Sequence, residues 1–239
     1  MSEEIKLLLG VSPPGLSRLE NSQLEKCEAE FQRMRPRILE RDNWTCQFCG
    51  YYSVRHLFQE VHHKDCDHRN NKESNLVTAC HFCHMTHHLW YALQCGAVLV
   101  AWDFPQVAIS RMARAQTQLQ KRYPGSAEIH ALLSEGKERA RSILTDEVYS
   151  SLPMQMQYIL RESPEDYEDL RRELYSNGIR LAFPVDEYNK SPQLKKNTAL
   201  PALSMHANAQ IIEANEPAWS NRVLNTTLER NLYLRYVKI

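Results

Sequence analysis

Two Cys-X-X-Cys pairs, Cys46/Cys49 and Cys80/Cys83, enclose a histidine-dense stretch that ends in Cys83-His84-Met85-Thr86-His87-His88. Four thiolates in two short-spaced pairs are the ligand set of a tetrahedral structural zinc ion, each pair supplying two sulfurs from one tight turn. Gly50 follows the first pair and can take the positive φ that such a knuckle needs after its second ligand. Two other readings stand beside zinc. The cysteines could pack as small buried hydrophobes, or one pair could be a redox dithiol, although nothing near either pair has the βαβ setting of that motif.

The histidines carry a second chemistry. His56, His62, His63, His68, His81, His84, His87 and His88 lie between the two pairs or just beyond them, and His130 and His206 lie elsewhere. Glu60-Val61-His62-His63-Lys64 reads as a strand approach, on which adjacent side chains point to opposite sides. One imidazole of the His62/His63 pair can then bind a cation while its neighbour handles a proton. His84 and His88 are spaced i, i+4, which places both on one face of a helix as two potential ligands. No role is assigned to His56, His68, His81 or His87.

The elements that must position these groups are read from apolar periodicity and turn signals. Ile5-Lys6-Leu7-Leu8-Leu9 predicts a short strand closed by Pro13-Pro14-Gly15. Leu24, Cys27, Phe31, Met34 and Ile38 predict a helix over 24–39, interrupted near Pro36. The chain is expected to turn helical over 81–93 and to form an apolar strand over 97–102. A further helix should open at Phe104-Pro105-Gln106 and run to about Arg122, where Tyr123-Pro124-Gly125 stops it. More helices fit 127–144 and 147–162. Ser163 is expected to cap another, with Pro164 in its first turn and Gly178 ending it.

The fold class expected is α+β, a small zinc-held ββα centre with mainly helical additions. Residues 1–185 are read as one zinc domain with helical extensions, and 186–239 as a surface linker and C-terminal tail. In that tail Val223, Leu224, Leu228, Leu232 and Tyr236 could line a docking helix or pack on their own domain.

Composition narrows the function classes. The 239 residues are 43% hydrophobic and 24% charged, as in a globular chain. No apolar run approaches the ~20 residues of a membrane span, and Met-Ser-Glu-Glu-Ile lacks the order of a signal peptide. A cytoplasmic protein without membrane insertion is expected, and seven cysteines suit that reducing compartment, with Cys27, Cys66 and Cys95 as ordinary thiols. The formal net charge is +0, so contact with nucleic acid would need a local patch. Arg33, Arg35, Arg37 and Arg41 before the first knuckle, and Arg55, Lys64, Arg69 and Lys72 after it, are the candidates.

The order His-His, Asn, Cys-X-X-Cys-His over 41–88 resembles the HNH, or ββα-metal, nuclease motif. That resemblance implies a divalent ion held against a scissile phosphate, with His63 as general base, His62 and His84 as metal ligands, and His88 as a further ligand. Asn75 would hold the loop that carries the base. A neutral imidazole suits that work, because its pKa near ~6.5 lets it accept a proton at cellular pH while the metal offsets charge on the phosphate.

A longer likeness covers roughly residues 4–185. Glu4-Ile5-Lys6-Leu7, the knuckle over 41–50, the run from Asn70 to Cys83, and Gly178-Ile179-Arg180-Leu181 resemble the IcmJ/DotN family of type IVB secretion and conjugation systems. The resemblance implies a cytoplasmic adaptor at the inner face of the membrane, associated through a type IV coupling ATPase or other secretion subunits. It implies an HNH-like zinc fold used as a platform. Zn2+ is then the structural cofactor, a second divalent ion belongs to the imidazole site, and DNA is the partner under the alternative, a metal-dependent HNH endonuclease. The adaptor is the preferred reading, since that likeness is longer and the net charge is zero.

Overall fold

The computed structural model describes residues 6–12, 24–53, 59–119, 127–184 and 188, with 24–26, 115–119 and 127–129 by backbone alone. The Pro13-Pro14-Gly15 and Tyr123-Pro124-Gly125 turns, Arg55, His56, His206 and the apolar tail positions lie outside the described residues. The architecture is mixed α+β and mostly helical. Helix α1, Leu24–Arg41, precedes the first knuckle, and strand β1, Gln59–His63, follows it. A 3-10 turn, Glu73–Asn75, leads into β2, Leu76–Cys80, and then come α2, His81–Thr86, and α3, Leu89–Gln94. Strand β3, Val98–Ala101, is followed by α4, Gln106–Leu119, α5, Ala127–Glu162, α6, Pro164–Ser176, and β4, Ile179–Ala182.

The strands form two antiparallel pairs. In the first, β1 runs against β2 with His63 opposite Leu76 and Gln59 opposite Cys80. In the second, β3 runs against β4 with Val98 opposite Ala182 and Ala101 opposite Ile179. Alternation along β1 separates two surroundings. Val61 and Leu76 join Phe31, Ile38 and Leu39 of α1 in one apolar cluster, whereas Val77 faces the larger core that contains the cysteines. Helices α4, α5 and α6 cover the second strand pair, and that core runs continuously from the knuckles to Leu152 and Met156 of α5.

Several elements differ from expectation for identifiable reasons. α1 runs without a break through Pro36, which removes one intrahelical donor but leaves φ helical. Among the described residues, 6–12 of the N-terminal segment form no strand; Leu7, Leu9 and Val11 are buried, and Gly10 pairs with the backbone of α2 and α3 instead. Gly10 N–H donates to Thr86 O at 3.0 Å, and Gly10 O accepts from Leu89 N–H at 2.9 Å. That insertion divides the helix expected over 81–93, because Thr86 O and Leu89 N–H are given to Gly10 instead of to the helix; between them His88 leaves helical geometry at φ −119, ψ 52.

The two helices expected over 127–144 and 147–162 are both present as the halves of α5, separated by a kink at Thr145, which is non-helical at φ 61 and ψ 157. Thr145 Oγ1 accepts from Val148 N–H at 3.4 Å and starts the second half. Ser163 caps α6 as expected, accepting from Asp166 N–H at 3.3 Å, and Gly178 at φ 76 ends the turn beyond it. Tyr188 corrects the surface reading of the linker at that position, since it is fully buried against Phe82 and Phe183. No helix among the described residues is long and apolar enough to cross a membrane.

Gly136 of α5 is where α5 approaches β3 most tightly: a Cβ there would lie 2.5 Å from Trp102 Nε1 and 3.0 Å from Val100 Cβ. Alanine would gain about 1 kcal/mol of helix propensity but force overpacking that costs about 1–3 kcal/mol. Gly136→Ala should therefore lower the denaturant midpoint without changing the slope, as measured by urea unfolding.

Candidate metal centre

The first knuckle is built by backbone geometry. Gly50 takes φ 73, as its place after Cys49 requires. Its N–H donates to Cys46 O at 2.9 Å, and Cys46 N–H donates to Tyr51 O at 2.8 Å, closing a tight turn around the sulfurs. Gln47 N–H donates to Thr78 O at 2.9 Å and ties this turn to β2, whose last residue is Cys80. Cys83 follows one turn into α2. The two pairs thus converge, and the four sulfurs lie within 4.8 Å of one another with all four residues buried.

Their chemistry fits a zinc ion. All seven cysteines are free of disulfides, and Cys49 Sγ lies 3.6 Å from Cys80 Sγ, close to the edge of about 3.8 Å expected between sulfurs 2.3 Å from a tetrahedral centre. Arg114 of α4 supplies an independent argument. It is 2% exposed, its Nε and Nη2 make no hydrogen bond among the described residues, and its guanidinium lies over the Tyr51 ring at 3.8 Å. Leaving such a cation without an anion costs several kcal/mol. Burial opposes its charge, yet the Cys80 sulfur, with Tyr51 and Cys49, pushes its pKa above the ordinary value.

Among four sulfurs so close, a single negative charge is most easily carried by Cys80, which its three sulfur neighbours and Arg114 hold well below the usual thiol range despite burial. Its neighbours Cys49 and Cys83 are driven well above that range, Cys49 first by the Cys46 sulfur and Cys83 first by burial. A bound zinc would make all four thiolates, and the resulting excess negative charge is what Arg114 faces.

The imidazoles occupy the opposite end of β1. His62 and His63 face opposite ways, as strand alternation demands. His62 stacks on His87, with centroids 4.3 Å apart, and meets His84 edge-on at 5.3 Å. His63 stacks on Phe31 of α1 at 5.0 Å. One ligand atom each of His62, His84 and His88 lies within 4.8 Å of the others.

Neighbouring groups orient these rings. Glu60, two residues before His62 on the same face, accepts from His84 Nδ1–H, and its other oxygen lies 3.0 Å from His81 Nδ1. Burial opposes ionisation of Glu60, but His84 and His81 outweigh it and hold the carboxylate well below its usual range. His88 Nδ1 lies 2.8 Å from Ser12 Oγ, and its Nε2 lies 2.9 Å from His84 Nε2. A proton between those nitrogens closes a chain from Ser12 to Glu60; a divalent ion would replace that proton and draw in His62, whose buried Nε2 makes no hydrogen bond. Burial first, then neighbouring imidazoles, keep His62 and His88 well below the ordinary histidine value, so both stay neutral and able to ligate.

His63 Nε2–H donates to Asn71 Oδ1 at 2.9 Å, and Asn71 Nδ2 donates to Cys27 O at 2.8 Å. Asn75 holds the loop after β1: its Nδ2 donates to Asp65 Oδ1 and Asn70 O, both at 2.9 Å, and its Oδ1 accepts from Asp65 N–H at 3.3 Å. Glu60, Ser12, Asn71 and Arg114 had no role in the sequence reading. Glu60 could have been found from its i, i+2 spacing to His62; the others meet the site only through tertiary packing. His130 is exposed on α5 and belongs to none of these groups. His81 is placed structurally, between Glu60 and the Tyr188 hydroxyl, which lies 3.1 Å from its Nε2.

No family model matches the chain. A type 4 apparatus protein, DotN of Legionella pneumophila subsp. pneumophila (strain Philadelphia 1), is 41% identical over 80 residues, 34% of this chain and 34% of that protein. The likeness to the IcmJ/DotN family is shown over that stretch. The match spans about a third of the length of this curated relative.

Structural zinc contributes about 10–16 kcal/mol in small zinc domains, as much as the about 5–15 kcal/mol that holds a whole domain folded. Stripping the ion with a strong chelator should abolish the cooperative thermal transition of the purified chain, and added zinc should restore it. Arg114→Met should keep the transition in excess zinc but lose the ion to a competing chelator at least tenfold faster, read by a chromogenic zinc indicator.

Proposed function

We propose that this chain is a component of a type IV secretion apparatus, an adaptor whose HNH-like ββα unit, held by a zinc ion on Cys46, Cys49, Cys80 and Cys83, presents a rigid platform to the coupling ATPase. The observation that carries the proposal is the similarity to DotN, named a type 4 apparatus protein, together with the convergence of the four sulfurs. The strand pair β1–β2 followed at once by α2 is consistent with the ββα unit.

The surroundings of His63 favour the platform over hydrolysis. A general base must reach the water it activates, and His63 is 2% exposed, packed against Phe31 and engaged by Asn71. Part of the basic patch is also engaged internally. Arg35 donates to Gln59 O at 2.8 Å, Arg41 to Leu76 O at 2.7 Å and Glu73 O at 2.8 Å, and Arg69 pairs with Asp67 at 2.9 Å. Phosphate binding by these side chains would have to break those contacts.

One observation supports a second reading, a metal-dependent endonuclease: His62, His84 and His88 converge with Glu60 and Ser12 behind them. In that reading the three imidazoles hold the divalent ion and His63 takes the proton from water as its oxygen attacks phosphorus. Asn75 keeps the loop in place, and the departing ester oxygen leaves with a proton from solvent.

Tagged full-length chain expressed in cells that carry the apparatus should capture the coupling ATPase, and His63→Ala should capture it equally. Failure of the wild-type chain to do so would sink the adaptor. Plasmid nicking by the purified chain with magnesium or manganese, lost in His63→Ala, would establish the enzyme in its place.

A further inference from the structure

Cys66 belongs to neither ligand set described above, yet it is buried beside two imidazoles whose Nε2 atoms have no hydrogen bond among the described residues. Its Sγ and one nitrogen each of His62 and His87 lie within 4.8 Å of one another. The three residues are 1%, 7% and 5% exposed for His62, Cys66 and His87 respectively. Nε2 of His62 and Nε2 of His87 are both buried and make no hydrogen bond, and the two rings stack with an interplanar angle of 24°. Polar nitrogens left bare in an interior are uncommon, and two side by side with a thiol in reach call for a shared partner.

The backbone around them is fixed. Cys66 sits at φ 58, in the left-handed region that a cysteine rarely adopts, and is held there by its N–H donating to His63 O at 2.9 Å. On the other side Gly10 presses on His87: a Cβ at that position would come 3.3 Å from His87 Cα and 3.4 Å from its Nδ1. A side chain there would press more tightly than ordinary contact, so glycine favours the close approach of the N-terminal segment to this imidazole.

We propose that His62, Cys66 and His87 form a second metal site, separate from the four-cysteine centre, that takes a zinc-class divalent ion. One sulfur and two imidazole nitrogens are a ligand set for zinc rather than for magnesium, and three protein ligands leave the fourth position open. The site shares His62 with His84 and His88. Zinc bound there withdraws that imidazole from the all-nitrogen set, so the two sites compete. The inference does not rest on the proposed function, since an adaptor and a nuclease would both contain it.

The test is a metal count on the purified full-length chain, loaded with excess zinc and desalted, by inductively coupled plasma mass spectrometry. Two zinc ions per chain are expected, staying at two in His88→Gln, which dismantles the all-imidazole set, and falling to one when Cys66→Ser or His87→Gln is added to His88→Gln. One ion in the wild-type chain, a loss in His88→Gln, or two retained when Cys66→Ser is added to His88→Gln would each overturn the proposal. Should Cys66→Ser fail to fold, cadmium-113 NMR of the wild-type chain decides. Two resonances are expected, the second well upfield of the tetrathiolate one; a tetrathiolate signal alone overturns the site.

Discussion

The convergence of four sulfurs beneath a buried guanidinium is the constraint on which the other elements depend. The first knuckle has little regular structure of its own, and β2 is only five residues long, so neither would hold its shape in isolation. An ion joining Cys46 and Cys49 to Cys80 and Cys83 would close the loop between them and set where β1 can run. Arg114 extends that constraint to α4. A buried cation with no carboxylate partner among the described residues calls for concentrated negative charge nearby, and four metal-bound thiolates would supply it where four neutral thiols would not.

The position of the histidines follows from that frame by strand parity. With β1 clamped between α1 and α2, Glu60 and His62 must face the helices that carry His84, His87 and His88. Val61 and His63 must face α1. A proton acceptor and a cation-binding imidazole are thereby adjacent in sequence and separated by the sheet. The same parity that would let an enzyme divide labour between them also buries His63 under Phe31, and the fold gains packing there at the expense of access.

What was legible in the sequence was local. The cysteine pairs, the positive φ of Gly50, the opposed faces of His62 and His63, the strand after Ala97, and the Ser163 cap all depend on residues a few positions apart. What escaped depends on distant partners. β2 is an apolar run of five that pairs with β1, and β4 acquires its partner from β3 across some 80 positions. The break at His87 and His88 exists because Gly10 inserts there. Arg114 reads as a surface charge on an amphipathic helix until the tertiary structure turns it toward Cys80, and Tyr188 sits in a polar run that gives no sign of its burial.

The contrast between the two ends of β1 bears on what the imidazoles are for. Near the cysteines every requirement points one way: burial, sulfur spacing and a compensating cation all favour one ion in a closed site. Near the histidines the requirements diverge. Glu60 and Ser12 orient His84 and His88 toward one position, while His87, brought up by the N-terminal segment, offers His62 another. A hydrolytic centre needs one ion at one place with an open path to water and substrate. A cluster in which the same imidazole has two sets of companions, both largely buried, is better suited to holding α2, α3 and the N-terminal segment together than to holding a phosphate.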